Sequence, residues 1–211
     1  MGIDRGFFIT FEGIEGSGKS TQIALLSSFL KKKITKKVFL TREPGGTKIS
    51  EKIRKLVIND LDEKSNSLTE LLLLFAARAE HYDLIREKLN KNYIVLCDRY
   101  IDSTVAYQHY NGNIKLDVIN YMQKLIDPKN KPDLTILLDI DPVVSKSRIL
   151  KRSKKLDRFD KESVGKMNKI RKAFLKIAKL NKKRVIVISN NLSKKDVQTN
   201  VQNQVLKFIN R

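Results

Sequence analysis

Five short apolar runs punctuate the chain: Phe7-Phe8-Ile9-Thr10-Phe11, Val38-Phe39-Leu40-Thr41, Tyr93-Ile94-Val95-Leu96-Cys97, Leu134-Thr135-Ile136-Leu137-Leu138 and Val185-Ile186-Val187-Ile188. They are continuous rather than alternating, the pattern of strands in a parallel sheet covered on both faces. Between them apolar residues return every three or four positions, which predicts helices. The first helix runs from about Gly18 to Lys33 with Leu25, Leu26, Phe29 and Leu30 inward; the second from Lys48 to Asn59 with Ile49, Ile53, Leu56 and Val57 inward and Arg54 off that stripe. A long helix follows from about Leu68 to Asn90, then others at Leu116 to Ile126, from near Pro142, at Asp160 to Lys182 and at Lys194 to Ile209. Strand and helix alternate, so the class is α/β. Without internal repeats or a low-complexity linker, the 211 residues suit a single domain, 1–211.

Charge changes the picture less than its size suggests. The net charge is +20, which fits either a nucleic-acid or membrane surface or a lysine-rich exterior around a site for anionic nucleotides. The basic residues are spread along the whole chain, and that favours the second reading, with nucleic acid disfavoured. Cys97 is the only cysteine and lies in an apolar run, so it is expected buried, with no disulfide framework or zinc site. The apolar segment from Phe7 to Phe11 is too short for a secretory leader. No membrane anchor is expected, and the chain is placed in the cytoplasm.

The chemistry concentrates after the first strand. Gly13-Ile14-Glu15-Gly16-Ser17-Gly18-Lys19-Ser20, followed by Thr21, fits G-x-x-x-x-G-K-[ST], a loop whose glycines expose backbone N–H groups to a polyphosphate at a helix N-terminus. Lys19 is expected at the β and γ phosphates of ATP and the Ser20 hydroxyl at Mg²⁺. Two apolar runs end in aspartate. Asp98 is preferred as the residue near the metal because Arg99 beside it can clamp phosphate, while Asp139 leads into Ile140-Asp141-Pro142 and looks like a helix cap. Arg42-Glu43-Pro44-Gly45-Gly46 places a cation and an anion at a strand's carboxyl end, as a ligand loop or an ordinary turn with a surface ion pair. Arg78 is set in the apolar Leu71 to Ala77 segment, where an unpaired arginine is costly, so it contacts a partner or a ligand. Residues 151–158 form a basic, polar stretch about the size of a lid, or simply a solvated charge run.

The order of these motifs resembles the bacterial thymidylate kinases, of the P-loop nucleoside-monophosphate kinase type, along essentially the whole chain. The resemblance implies a three-layer P-loop fold with a five-stranded parallel sheet flanked by helices and a short basic lid, usually as a homodimer. It implies transfer of the γ-phosphoryl of ATP to thymidine 5′-monophosphate (dTMP), with Mg²⁺. By the same resemblance Gly13 to Thr21 bind ATP, Glu15 faces the deoxyribose, and Arg42, Glu43 and Arg54 surround the acceptor phosphate. Arg99 bridges donor and acceptor phosphates, with Asp98 by the metal's water shell. Arg78, Thr104 and Gln108 face the thymine, and Tyr107 crowds the sugar. Two positions depart from the family pattern. The family commonly stacks a Phe on the thymine four residues before the base-reading arginine; Leu74 stands there, and Phe75 is the expected substitute. Many relatives carry a lid arginine where this chain has Ser153, so Arg152, Lys154 and Arg158 are the candidates for that contact, Arg152 among the catalytic set.

Rival readings are a kinase for another monophosphate, a nucleic-acid-associated P-loop NTPase and a non-catalytic scaffold. Arg78 with Gln108 argues against the first, the spread of charge against the second, and the presence of Lys19, Ser20, Asp98 and Arg99 together against the third.

Overall fold

The structure is a computed structural model that describes residues 5–61, 65–127, 131–152 and 156–210. Its centre is a sheet of β1 (Phe7–Glu12), β2 (Val38–Arg42), β3 (Ile94–Asp98), β4 (Leu134–Asp139) and β5 (Val185–Ser189), all parallel, in the order β2-β3-β1-β4-β5. The central strands are buried along nearly their whole length, whereas of the edge strands β2 is half-buried or exposed throughout and β5 mixes buried and exposed positions. The chain reverses its direction of winding at β1, so a crevice opens at the carboxyl end of that strand. Register carries chemistry there: Phe11 and Arg42 both pair with Asp98.

Helices cover both faces. On one, α1 (Lys19–Lys33) and α8 (Lys194–Ile209) bury Leu26, Leu30, Val197, Val201 and Val205 against the sheet. On the other, α3 (Ser67–Asn90) brings Ile85 and Leu89 to Phe8, Val95 and Cys97, while α7 (Val164–Leu180) packs Ile170 and Phe174 beneath β4 and β5. Cys97 is buried and free. The remaining helices are α2 (Lys48–Lys55), α4 (Ile101–Thr104), α5 (Leu116–Ile126) and α6 (Pro142–Arg152), with single π-helical turns continuing α2 and α4 over Leu56–Asp60 and Val105–Tyr110. Among the described residues no helix is long and apolar enough to cross a membrane.

Three expectations need correction. Ile49 and Leu56 face solvent rather than the core, at 51% and 40% exposure. The buried position in the first turn of α2 is Ser50, whose hydroxyl donates to the Ala77 carbonyl of α3 (2.8 Å), and the π turn then rotates Val57 inward in place of Leu56. Asp139 is not a cap: Arg171 of α7 grips it through two bonds of 2.6 and 2.8 Å, and Asp141 accepts from the Val143 amide instead (2.7 Å). The helix expected from Asp160 begins at Val164, where the Ser163 hydroxyl accepts from the Lys166 amide.

Candidate active site

A cavity of about 550 Å³ lies over the carboxyl ends of β1 and β3, running from the loop after β1 to Leu74 and Arg78 in the first half of α3. Its floor is the glycine loop. Gly13 and Gly16 have φ of 139° and 72°, and a Cβ on either would sit 2.6 to 2.7 Å from a backbone oxygen, of Leu138 and Ser145 respectively. Only glycine fits both the twist and the approach. Gly18, at φ 86°, turns the chain into α1. The loop is held from behind by two residues of the C-terminal half: the Ser145 hydroxyl donates to the Glu15 carbonyl, and the Asn190 side-chain amide donates to the Ser17 carbonyl.

Lys19 folds back over the loop, its Nζ donating to the Gly13 and Ile14 carbonyls at 3.0 Å each. Burial and then the neighbouring Arg99 bring its ammonium down to about 8. The Ser20 hydroxyl donates to Asp98 Oδ2 (2.9 Å), while Asp98 Oδ1 is buried with no hydrogen-bond partner among the described residues. Thr21 lines the same wall.

Arg99 occupies the left-handed region at φ 69°, a backbone cost on the order of 1 kcal/mol for a non-glycine residue. That twist turns its side chain over the loop, where it donates to Glu15 Oε1 (2.7 Å) and to the Ser103 hydroxyl (3.0 Å). The other Glu15 oxygen accepts from the Tyr107 hydroxyl (2.7 Å). Burial alone would make Arg99 less basic, but Tyr107, Glu15 and Asp98 hold its charge firmly in place.

Beyond Arg99 lie two further cations. Arg42 is paired with Glu51 (2.8 Å), and Arg54 donates to the Pro44 carbonyl (3.1 Å) with no carboxylate in ion-pair range among the described residues. Burial and the charge of Arg42 lower Arg54, so an arriving anion relieves both. Glu43 turns away from these two: it ion-pairs with Arg78 (2.8 Å) and meets His81 (3.3 Å), whose other nitrogen faces the Thr41 hydroxyl (2.6 Å). Although burial pushes Glu43 up, Arg78 and His81 hold it below the usual carboxylate range. Arg78 also donates to the Thr104 hydroxyl (2.9 Å), and Gln108 donates to Glu70 (2.9 Å). Leu74, not Phe75, reaches the cavity. Phe75 is packed against Leu71 and Ile119, because its place one residue along the helix faces α5, and its ring lies under the Arg78 guanidinium at 4.9 Å.

The lid segment is partly described. Arg152 reaches Asp160 at 3.2 Å and lines the cavity, Arg158 pairs with Glu70 (2.8 Å), and Lys154 lies outside the described residues. Arg148 donates to the Asn190 carbonyl at the far wall (3.2 Å). Glu12, Ser145 and Asn190 were not singled out from sequence. Of these only Glu12 carried a signal there, an acid closing an apolar strand directly before the glycine loop.

A glycine phosphate loop, a hydroxyl and a carboxylate beside it, and an arginine reaching in from the third strand define a P-loop phosphotransferase whose cavity extends into a second compartment. The family model described as Thymidylate kinase matches residues 11–201. The chain belongs to the thymidylate kinase family. A thymidylate kinase of Sulfurihydrogenibium sp. is 47% identical over 188 residues, covering 89% of this chain and 90% of its own. One from Wolbachia pipientis wMel is 43% identical over 205 residues, covering 96% and 99%. The crystal structure of thymidylate kinase from Ehrlichia chaffeensis aligns with a TM-score of 0.74 at 35% identity, covering 97% of this chain and 99% of that one.

Proposed function

We propose that the protein transfers the γ-phosphoryl group of ATP to the phosphate of dTMP, giving dTDP and ADP. The observation that carries this reading is the continuity of one cavity from the phosphate loop, past Arg99, to Arg54 and Arg42, and on to Arg78, Thr104 and Gln108. Two anions fit head to head across Arg99, with a hydrogen-bonding compartment for a base edge at the acceptor end.

The loop amides and Lys19 hold the donor phosphates, and Lys19 exchanges its two carbonyl partners for phosphate oxygens as they arrive. Arg54 and Arg42 hold the acceptor phosphate, and Arg99 stands where the two meet. The attacking oxygen is already anionic, so no general base is needed. Arg78, kept in place by Glu43, donates to the base edge together with Gln108. A wrong base leaves buried donors unpaired.

Ser20 and Asp98 fit Mg²⁺. The unpartnered Asp98 Oδ1 beside the Ser20 hydroxyl supplies the sparse oxygen set of an ion that keeps waters and takes phosphate oxygens as its other ligands, and no cluster of three or more acidic, histidine or cysteine ligands occurs among the described residues. When bound it neutralises phosphate charge and fixes the donor's conformation. We further propose that the chain works as one domain, in a homodimer, in the cytoplasm. The test is product analysis: purified protein with ATP, Mg²⁺ and a panel of dTMP, dUMP, dCMP, dGMP and dAMP, read by separation of diphosphates. Diphosphate formed at least as well from a purine monophosphate overturns the acceptor assignment.

A further inference from the structure

Glu12 is the last residue of β1 and only 1% exposed, yet it makes three bonds to one segment of the chain beyond β3. Its Oε1 accepts from the Tyr100 amide (2.8 Å) and the Ser103 amide (3.3 Å), and its Oε2 accepts from the Ser103 hydroxyl (2.6 Å). That same hydroxyl oxygen accepts from Arg99 Nη1 (3.0 Å). The carboxylate therefore grips the backbone on the far side of the left-handed Arg99 and, through Ser103, one arm of its guanidinium. The other arm is taken by Glu15 of the glycine loop.

We infer that Glu12 is a positioning residue for Arg99, acting through Ser103 to aim the guanidinium at the gap between donor and acceptor phosphates. The inference deepens the phosphoryl-transfer reading and rests on it. A carboxylate is a costly choice for a strand end that needs only to be filled, since burial and the nearby Asp102 push Glu12 up to about 7 while Arg99, Ser103 and Tyr100 pull it back. Asp102 itself is engaged by Arg184 at 2.7 and 2.9 Å, so Arg184 is committed there rather than to Glu12. A neutral residue of the same shape keeps the packing. It loses the acceptor that orients the Ser103 hydroxyl, so that the oxygen no longer presents a lone pair to Arg99 alone. Because Arg99 starts from a strained backbone conformation, a weakened anchor frees its side chain to leave the working position.

The experiment is a double-mutant cycle on turnover with Glu12→Gln, Ser103→Ala and the pair, alongside ¹⁵N guanidinium NMR of Arg99, assigned with Arg99→Lys. Either single variant is expected to lower kcat roughly 30-fold with both KM values within about twofold of wild type, the size of loss that misaimed catalytic groups produce. The pair should be no worse than the poorer single, and Ser103→Thr, which keeps the hydroxyl, should recover most of the activity. In the NMR, restricted rotation of the Arg99 guanidinium in wild type becomes averaged in both single variants. Multiplicative losses in the pair, or wild-type kcat in Glu12→Gln, overturn the inference. Should Glu12→Gln fail to fold, Ser103→Ala decides alone: unchanged kcat and unchanged Arg99 rotation defeat it. Wild-type protein that does not phosphorylate dTMP refutes the functional reading instead, and the NMR arm still reports on the anchor.

Discussion

Arg99 Nη2 lies 2.7 Å from Glu15 Oε1, so the arginine from the end of β3 and the acid of the glycine loop are joined across the middle of the cavity. The pair closes the loop's only carboxylate with a fixed cation, which lets an acid stand where the proposed function puts polyphosphate. Removing the guanidinium leaves the acid with only the Tyr107 hydroxyl beside the two phosphates of the proposed reaction. Arg99→Ala is expected to lower kcat by about 10²–10³, the range for loss of one transition-state donor, and to raise KM for both substrates only modestly. Steady-state kinetics with each substrate varied in turn checks this.

Lys19 sets stability against activity. Its folded ammonium sits near 8 against an ordinary 10.5, so between those values the unfolded chain binds more protons than the folded one. Stability therefore rises with pH through that window as the buried charge is shed. Lys19→Met removes both the charge and the slope. The variant is expected to lose transfer and yet melt roughly 2–6 °C higher at pH 7, as measured by thermal unfolding at pH 7 and pH 9 together with a turnover assay.

Glu12 has the opposite slope. Its folded value near 7 lies above the ordinary 4.5, so the folded chain holds the extra proton between them and stability falls as pH rises through that interval. Melting curves from pH 4.5 to 7.5 should show the fall in wild type and a flatter profile in Glu12→Gln.

Glu43 is the counter-charge of a buried arginine. Glu43→Gln leaves Arg78, 3% exposed, without its full partner, and removal of one member of such a pair costs on the order of 3 kcal/mol. Chemical denaturation should show that loss. Kinetics should show KM for dTMP rising more than KM for ATP, because the proposed function puts Arg78 at the acceptor end.

Asp98→Asn tests the proposed magnesium site. An amide in place of the orphaned carboxylate oxygen weakens a hard cation's site while leaving the Ser20 bond a possible acceptor. The Mg²⁺ concentration for half-maximal turnover is expected to rise about tenfold, read from a magnesium titration at fixed ATP.

The sequence carried all five strands and the phosphate loop because their chemistry is local: apolar runs announce buried strands, and one stretch of eight residues holds the whole cradle. The place of Asp98 at the end of β3 was legible for the same reason, as an acid closing an apolar run. Contacts made across the fold were not. Asp139 resembled a cap because nothing nearby in sequence points to Arg171, and nothing near Glu12 in sequence points to Ser103. The Leu74 and Phe75 positions share a helix turn, and only the arrival of Ile119 from α5 decides that the ring goes into the core.

Ser145 and Asn190 steady the glycine loop from the far end of the chain, and Asn190 follows the last strand, its own amide held by the Asp139 carbonyl (2.7 Å). A nascent chain that has already delivered every residue of the phosphate motif is therefore still without the braces that shape it. Competence to grip a nucleotide comes late in synthesis, once β5 has docked, and a fragment ending before that strand carries the signature without the function.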